Sequence, residues 1–248
     1  MIIIKTDKDL SVMRDLGKKT AVVLDALVSF AKAGHSTKDI EDKATAVMAE
    51  LGVKPAFLGC YGFPGSLCIS VNEELIHGIP RTSKIIADGD IVSIDLGLKS
   101  RGWFSDMATT FPVGNVDALK TDLLKVGEQA LAEAIAAVRP GATIGDISWA
   151  IQSYVEQKGY KVVKKFVGHG IGRKLHEDPE IPNFGSPRKG PVLKQGMTLA
   201  IEPMITASHE DVYVAKDDWT VIAKDGKPCV HFEHTVAVTA SGAEILTA

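Results

Sequence analysis

The chain has 248 residues, 45% of them hydrophobic and 24% charged, with a formal net charge of -3. This is the composition of a globular protein with enough apolar surface for a substantial core, and it excludes disorder, low complexity and a global electrostatic pull toward nucleic acid or anionic membranes. Three cysteines, Cys60, Cys68 and Cys229, form an odd count without C-x-x-C spacing, which speaks against a disulfide framework or zinc knuckle and for a reducing, cytoplasmic setting.

The N-terminal run MIIIKT is too short for a signal peptide or a membrane span. Leu10, Met13, Leu16, Val22, Leu24 and Leu27 then recur at helical spacing, predicting a helix over 7–33 ended by Gly34. Ser36 with Asp39, and Thr143 with Asp146, have the spacing of capping boxes and open predicted helices at 37–51 and 144–158. A further helix over 117–138 stops at Pro140-Gly141. Strands are predicted for IVSIDLGL (91–98), RGWFSDMATTF (101–111), KVVKKFV (161–167), MTLAIEPMI (197–205) and VHFEHTVAV (230–238), which are short, rich in β-branched or aromatic residues, and bounded by Gly, Pro and Asp.

Aligned with itself, the chain repeats at an offset of 107 residues. AGHSTKDI (33–40) matches PGATIGDI (140–147), and the offset goes on to pair Gly52 with Gly159, Gly89 with Gly196, Ile94 with Ile201, and Asp95 with Glu202. After an insertion of about twenty residues in the second copy, GWFSDMATTF matches VHFEHTVAV and sets Asp106 against Glu233. The expectation is one domain over 1–248, built from two similar α+β halves, about 34–112 and 141–240, around a pseudo-twofold axis. His169 breaks the symmetry, since its counterpart at the offset is Gly62.

Asp95, Asp106, Glu202 and Glu233 each lie in an otherwise apolar stretch, where an unpaired charge is costly to bury. Read blandly, Asp95 ends a strand in a turn, Asp106 caps a bend, and Glu202 and Glu233 pair with arginines. No arginine lies near the two glutamates in sequence, and the repeat ties the four carboxylates into two equivalent pairs. With His169 they make a hard, oxygen-rich donor set suited to two divalent ions such as Mn, Fe(II), Co or Zn. Ions ~3.5 to 4 Å apart would activate a shared water, so the reaction class is metal-assisted hydrolysis.

His169 sits among three glycines, a setting that excludes a stable helix and brings backbone close to something bound. His77, before Gly78 and Pro80, lies in a loop able to aim an imidazole into a cleft, and His176 follows seven residues after His169. His35 and His209 read as surface residues. Of His231 and His234, one is expected to support Glu233 from behind.

IDLG, FSDMATTF, FVGHGIGRKLHEDPEIPNF, IEPM and HFEHTVAV, in this order, resemble the type I methionine aminopeptidases of the bacterial form over essentially the whole chain. The resemblance implies the pita-bread fold, an α+β arrangement with an antiparallel sheet core and outer helices. It also implies removal of N-terminal methionine from nascent polypeptides whose second residue is small. On the matching positions, Asp106 and Glu233 would bridge two ions, Asp95 would chelate one, and His169 with Glu202 would complete the other. Glu202 would also shuttle a proton, His77 would meet the scissile amide nitrogen and His176 the carbonyl oxygen, while Phe57, Cys60, Phe63 and Trp219 would line the methionine pocket. Cys60 and Phe63 stand where tyrosine is frequent in the family, and Leu175 where an aromatic residue often precedes the second histidine, which leaves pocket size open.

The resemblance further implies a monomer without membrane or sequence-specific nucleic-acid partners, and leaves ribosome association open. Two rivals remain at this stage. A proline-specific peptidase of the same fold would carry a large preceding domain, whereas only Met1 to Gly34 precedes the first repeat; a non-catalytic relative would have lost ligands, and none is missing.

Overall fold

A computed structural model describes residues 1–248. Four helices, α1 (Asp7–Phe30), α2 (Thr37–Glu50), α3 (Ala118–Ala136) and α4 (Ile144–Gln157), pack outside a nine-stranded sheet that is antiparallel throughout. In chain order its strands are β1 (Lys54–Pro55), β2 (Cys68–Val71), β3 (Asp90–Ser100), β4 (Trp103–Val113), β5 (Val167–Gly170), β6 (Glu177–Pro182), β7 (Thr198–Ile201), β8 (Glu233–Thr239) and β9 (Gly242–Ile245). Their spatial order is β1-β3-β4-β8-β7-β5-β6, with β2 added on β3 and β9 on β8. Two small three-stranded sheets flank it, one of them joining Glu74–Ile76 to Val221–Ala223.

The internal repeat has a physical counterpart at the same offset. Both capping boxes form, Ser36 with Asp39 and Thr143 with Asp146, and they open helices of equal length. Gly34, Gly52 and Gly89 take positive φ, as do Gly141, Gly159 and Gly196, and this backbone conformation is the reason glycine recurs there. Even the isolated bridges correspond: Ser36 pairs with Ile85, and Thr143 with Val192. Each half has its own core, one of 30 buried residues under α1 and α2, the other of 24 under α3 and α4.

Several local expectations need correction. The first helix ends at Phe30, because Ala31 is already extended and the chain turns to pair Gly34 with Ile86. Val22, assigned to its buried stripe, is exposed, and Val23 is buried in its place. The predicted strand 161–167 is split into Lys161–Val162 and β5, since Lys164 and Lys165 leave the sheet and Lys164 pairs with Glu210 at 2.7 Å. The runs 197–205 and 230–238 are each broken, at Glu202-Pro203 and at Phe232. A proline lacks the N–H that continued pairing requires, which accounts for the first break. No helix is long and apolar enough to cross a membrane.

Candidate metal centre

Five adjoining strands each deliver one residue to the middle of the sheet: Asp95 from β3, Asp106 from β4, Glu233 from β8, Glu202 from just past the end of β7, and His169 from β5. Register sets the alignment. Asp95 and Glu233 both stand opposite Ala108, and Asp106 opposite Gly97, so the carboxylates gather around one small residue in β4. His169 pairs with Ala200, two residues before Glu202. The histidine therefore lies in a strand, with its glycines giving close backbone approach: a Cβ on Gly168 would lie 2.5 Å from Ala200 O.

Asp95, Asp106, His169 and Glu233 are buried and Glu202 nearly so. His169 Nε2 stands 3.6 Å from Glu202 Oε1 and 4.0 Å from Asp106 Oδ2. Asp106, His169 and Glu233 form one cage of potential ligand atoms; Glu202, His231 and Glu233 form a second, sharing Glu233. Asp95 belongs to neither cage but borders both, and its field raises the pKa of Asp106 and Glu233.

The electrostatics are those of a site built around positive charge. Burial lifts the Asp95 carboxyl to about 7 and Glu202 to about 8. Asp106 is pushed well up by burial and then by Asp95 and Glu202, and Glu233 by burial and then by Asp106, Glu202 and Asp95. Burial brings His169 down to about 3, leaving a neutral imidazole able to offer a lone pair. Asp95 Oδ1 and Glu233 Oε1 are buried without a hydrogen-bond partner. Four crowded carboxylates, orphaned oxygens and a neutral histidine whose Nδ1 lies 2.9 Å from Gly170 O suit divalent cations in donor type and in charge.

All eleven residues singled out in the sequence line one cavity of about 680 Å3. Its apolar end holds Phe57, Cys60, Phe63 and Trp219, with the Phe63 and Trp219 rings edge to face at 5.1 Å. His77 and Trp219 flank the paired strands Glu74–Ile76 and Val221–Ala223, which bring their rings to 6.3 Å. His77 has φ 59, and burial, followed by the fields of His231 and His176, lowers its pKa to about 4. His176 lies at the entry to β6, its ring edge-on to His169 at 4.5 Å and stacked on Tyr61 at 5.8 Å.

Three features escaped the sequence reading. His35, expected at the surface, is half-buried and stacks on Phe30 at 4.5 Å. Tyr61, exposed at the cavity mouth, carried no periodicity or charge to mark it. Met1 and Ile3 also line the cavity, the N-terminal amine pairing with Asp178. Of the two histidines left open, His231 is the one near the centre: its Nε2 lies 3.4 Å from Glu202 Oε2 and 4.0 Å from Glu233 Oε2, while His234 Nδ1 is 2.9 Å from Thr247 Oγ1.

Known proteins agree with this architecture. Methionine aminopeptidase 1 of Bacillus subtilis is 48% identical over 247 residues, covering 100% of this chain and 99% of its own. The crystal structure of methionine aminopeptidase from Thermotoga maritima superposes with a TM-score of 0.98 at 44% identity, covering 100% of this chain and 99% of that one. A prolidase from Pyrococcus horikoshii shares the fold at a TM-score of 0.82 and 24% identity, but this chain covers only 64% of it. The pseudo-twofold α+β architecture is thus the pita-bread fold. The sequence model of metallopeptidase family M24 matches residues 11–240, and the chain belongs to that family.

Proposed function

We propose that this protein is a methionine aminopeptidase that removes the N-terminal methionine from nascent polypeptides whose second residue is small. The observation that carries the reading is the joining, in one cavity, of the five-residue polar centre with an apolar end of a size and softness suited to a thioether. The relatives of similar length bear the same name.

In this reading Asp95, Asp106, His169, Glu202 and Glu233 would together hold two divalent ions. Ions of the Mn, Fe(II), Co or Zn type would supply Lewis acidity, sharpening water as a nucleophile and polarising the scissile carbonyl. Glu202, at the edge of the cluster, takes the proton from the attacking water and passes it to the leaving amine. His77 is neutral at pH 7 and accepts the scissile amide N–H on its lone pair. His176, from the other wall, donates to the carbonyl oxygen as charge develops there. Phe57, Cys60, Phe63 and Trp219 hold the methionine side chain, and their walls exclude water from it.

The whole chain would act as one catalytic unit in the cytoplasm, a placement supported by three free cysteines. It would work as a monomer on peptide emerging from the ribosome. The test is hydrolysis of Met-Ala-Ser and Met-Ile-Ser by metal-free protein to which Mn, Fe(II), Co or Zn is restored. Metal-dependent release of methionine from the first peptide alone is expected. Release only from X-Pro peptides would move the protein to the proline-specific branch of the fold, and no release at all would end the catalytic reading.

A further inference from the structure

His231 ends the short strand Cys229–His231, with a side chain 2% exposed. Its backbone is clamped on both sides by one hydroxyl: His231 N donates to Thr110 Oγ1 at 2.9 Å, and Thr110 Oγ1 donates to His231 O at 2.8 Å. The ring position is therefore fixed from the neighbouring strand β4. Both ring nitrogens are buried and neither makes a hydrogen bond, but Nε2 faces the Glu202 and Glu233 carboxylates at 3.4 and 4.0 Å.

A neutral imidazole carries one N–H and one lone pair, and which nitrogen holds the proton follows from the surroundings. A buried N–H without an acceptor is rarer and costlier than a buried acceptor without a donor. Neither nitrogen makes a hydrogen bond, but Nε2 has a carboxylate oxygen at 3.4 Å that a small turn of Glu202 would bring into line, so the proton belongs on Nε2. His169 is the opposite case. Its Nδ1 lies 2.9 Å from Gly170 O, which holds the proton there and leaves the Nε2 lone pair facing the centre, as a metal ligand requires. The two oxygens of Glu202 lie nearest two different nitrogens: Oε1 3.6 Å from His169 Nε2, and Oε2 3.4 Å from His231 Nε2.

We propose that His231 is a positioning residue whose Nε2–H holds Glu202 Oε2, turning the carboxylate so that Oε1 faces the His169 side of the centre. This rests on the reading of Glu202 as the proton shuttle. It separates the two histidines by role, although both stand within a cage of potential ligand atoms. It also gives a reason for an imidazole at position 231: an apolar residue there would leave Oε2 free to turn.

The experiment has two parts. In protein labelled with 15N-histidine, long-range 15N–1H correlation should report His231 as the Nε2–H tautomer, both metal-free and after Zn is added. A Nδ1–H tautomer, or a Nε2 resonance that moves to a metal-bound position on loading, would overturn the proposal and make His231 a ligand. In the Mn-loaded enzyme, His231→Leu should lower kcat on Met-Ala-Ser about 10- to 100-fold with little change in KM. His231→Gln, which restores an N–H donor, should recover most of that loss. Unchanged turnover in His231→Leu would overturn the positioning role, and a leucine variant that fails to fold leaves the tautomer spectrum of the native protein to decide. Wild-type protein inert toward the peptide would remove the shuttle reading of Glu202 instead, while the tautomer assignment still stands or falls on the spectrum.

Discussion

Lys5 and Glu177 form an ion pair of 2.6 Å with side chains only 2% and 3% exposed, joining the N-terminal segment to the loop that carries His176. Glu177 Oε1 accepts from Arg173 N at 2.6 Å and Lys174 N at 3.1 Å, so one buried carboxylate ties together the loop and its anchor. A Cβ on Gly172 would stand 2.5 Å from Lys5 Cε, which shows how closely that loop is seated. Removing one member of a buried pair leaves an uncompensated charge and costs about 3–5 kcal/mol. Lys5→Met should lower the unfolding free energy of metal-free protein by about that much in urea titration, and Lys5→Met with Glu177→Gln should recover part of it. A loss of under about 1 kcal/mol in the single variant would mean that the carboxylate finds water.

Metal affinity should rise with pH. Asp95 and Glu202 titrate near 7 and 8 in the metal-free fold, against ordinary values of 3.8 and 4.5. Both are raised, so the fold holds protons that the unfolded chain has released, and stability from these groups is greatest on the acid side and lost as pH climbs through 7 and 8. A cation must displace the same protons. Calorimetric titration of Mn in buffers of different ionisation enthalpy should show proton release on binding near pH 6.5 and tighter binding at pH 8. Binding that is independent of pH would contradict protonated carboxylates in the empty centre.

His77→Ala should reduce kcat about 100-fold or more while metal content is unchanged, because the ring stands against Trp219 and Phe166 and lies outside both ligand cages. Elemental analysis of the purified variant checks this. Equal loss of metal and turnover would reassign His77 to the ions.

Trp219→Ala should raise KM for Met-Ala-Ser about 10-fold or more and leave kcat nearly intact, since the indole packs edge-on to Phe63 in the apolar end. Asp217 prepares that position by accepting from Trp219 N at 3.1 Å and Thr220 N at 2.9 Å. An unchanged KM would take the indole out of the methionine pocket.

Much of this was legible in the sequence because two physical constraints leave marks there. Positive φ demands glycine, so Gly34, Gly52 and Gly89 recur as Gly141, Gly159 and Gly196, and the repeat can be read from them. A carboxylate in an apolar strand demands a partner, so Asp95, Asp106, Glu202 and Glu233 stand out. Short strands such as β1 and β6 were not legible, because tertiary pairing makes them and their own residues carry little alternation. His231 was only half legible for the same reason: its proximity to Glu202 follows from how Cys229–His231 docks against Thr110, and no local pattern encodes that. The N-terminal wall of the cavity was missed because Lys5 finds Glu177 across 172 residues.

The two halves of the sheet meet at β4 and β8, and that junction is narrow: Glu233 pairs with Ala108 and His234 with Met107, reinforced where Asp106 N donates to Thr235 Oγ1 at 3.0 Å and Thr235 Oγ1 returns a bond to Asp106 O at 2.8 Å. The acidic side chains straddle this join, with Asp95 and Asp106 on one side and Glu202 and Glu233 on the other. Without a cation these groups hold protons and supply no ionic tie across the thinnest part of the sheet; a bound cation would tie the two sides together. Amide hydrogens flanking the join should therefore exchange faster than those in the long β3–β4 hairpin when metal is withdrawn, as hydrogen exchange with and without Mn would show.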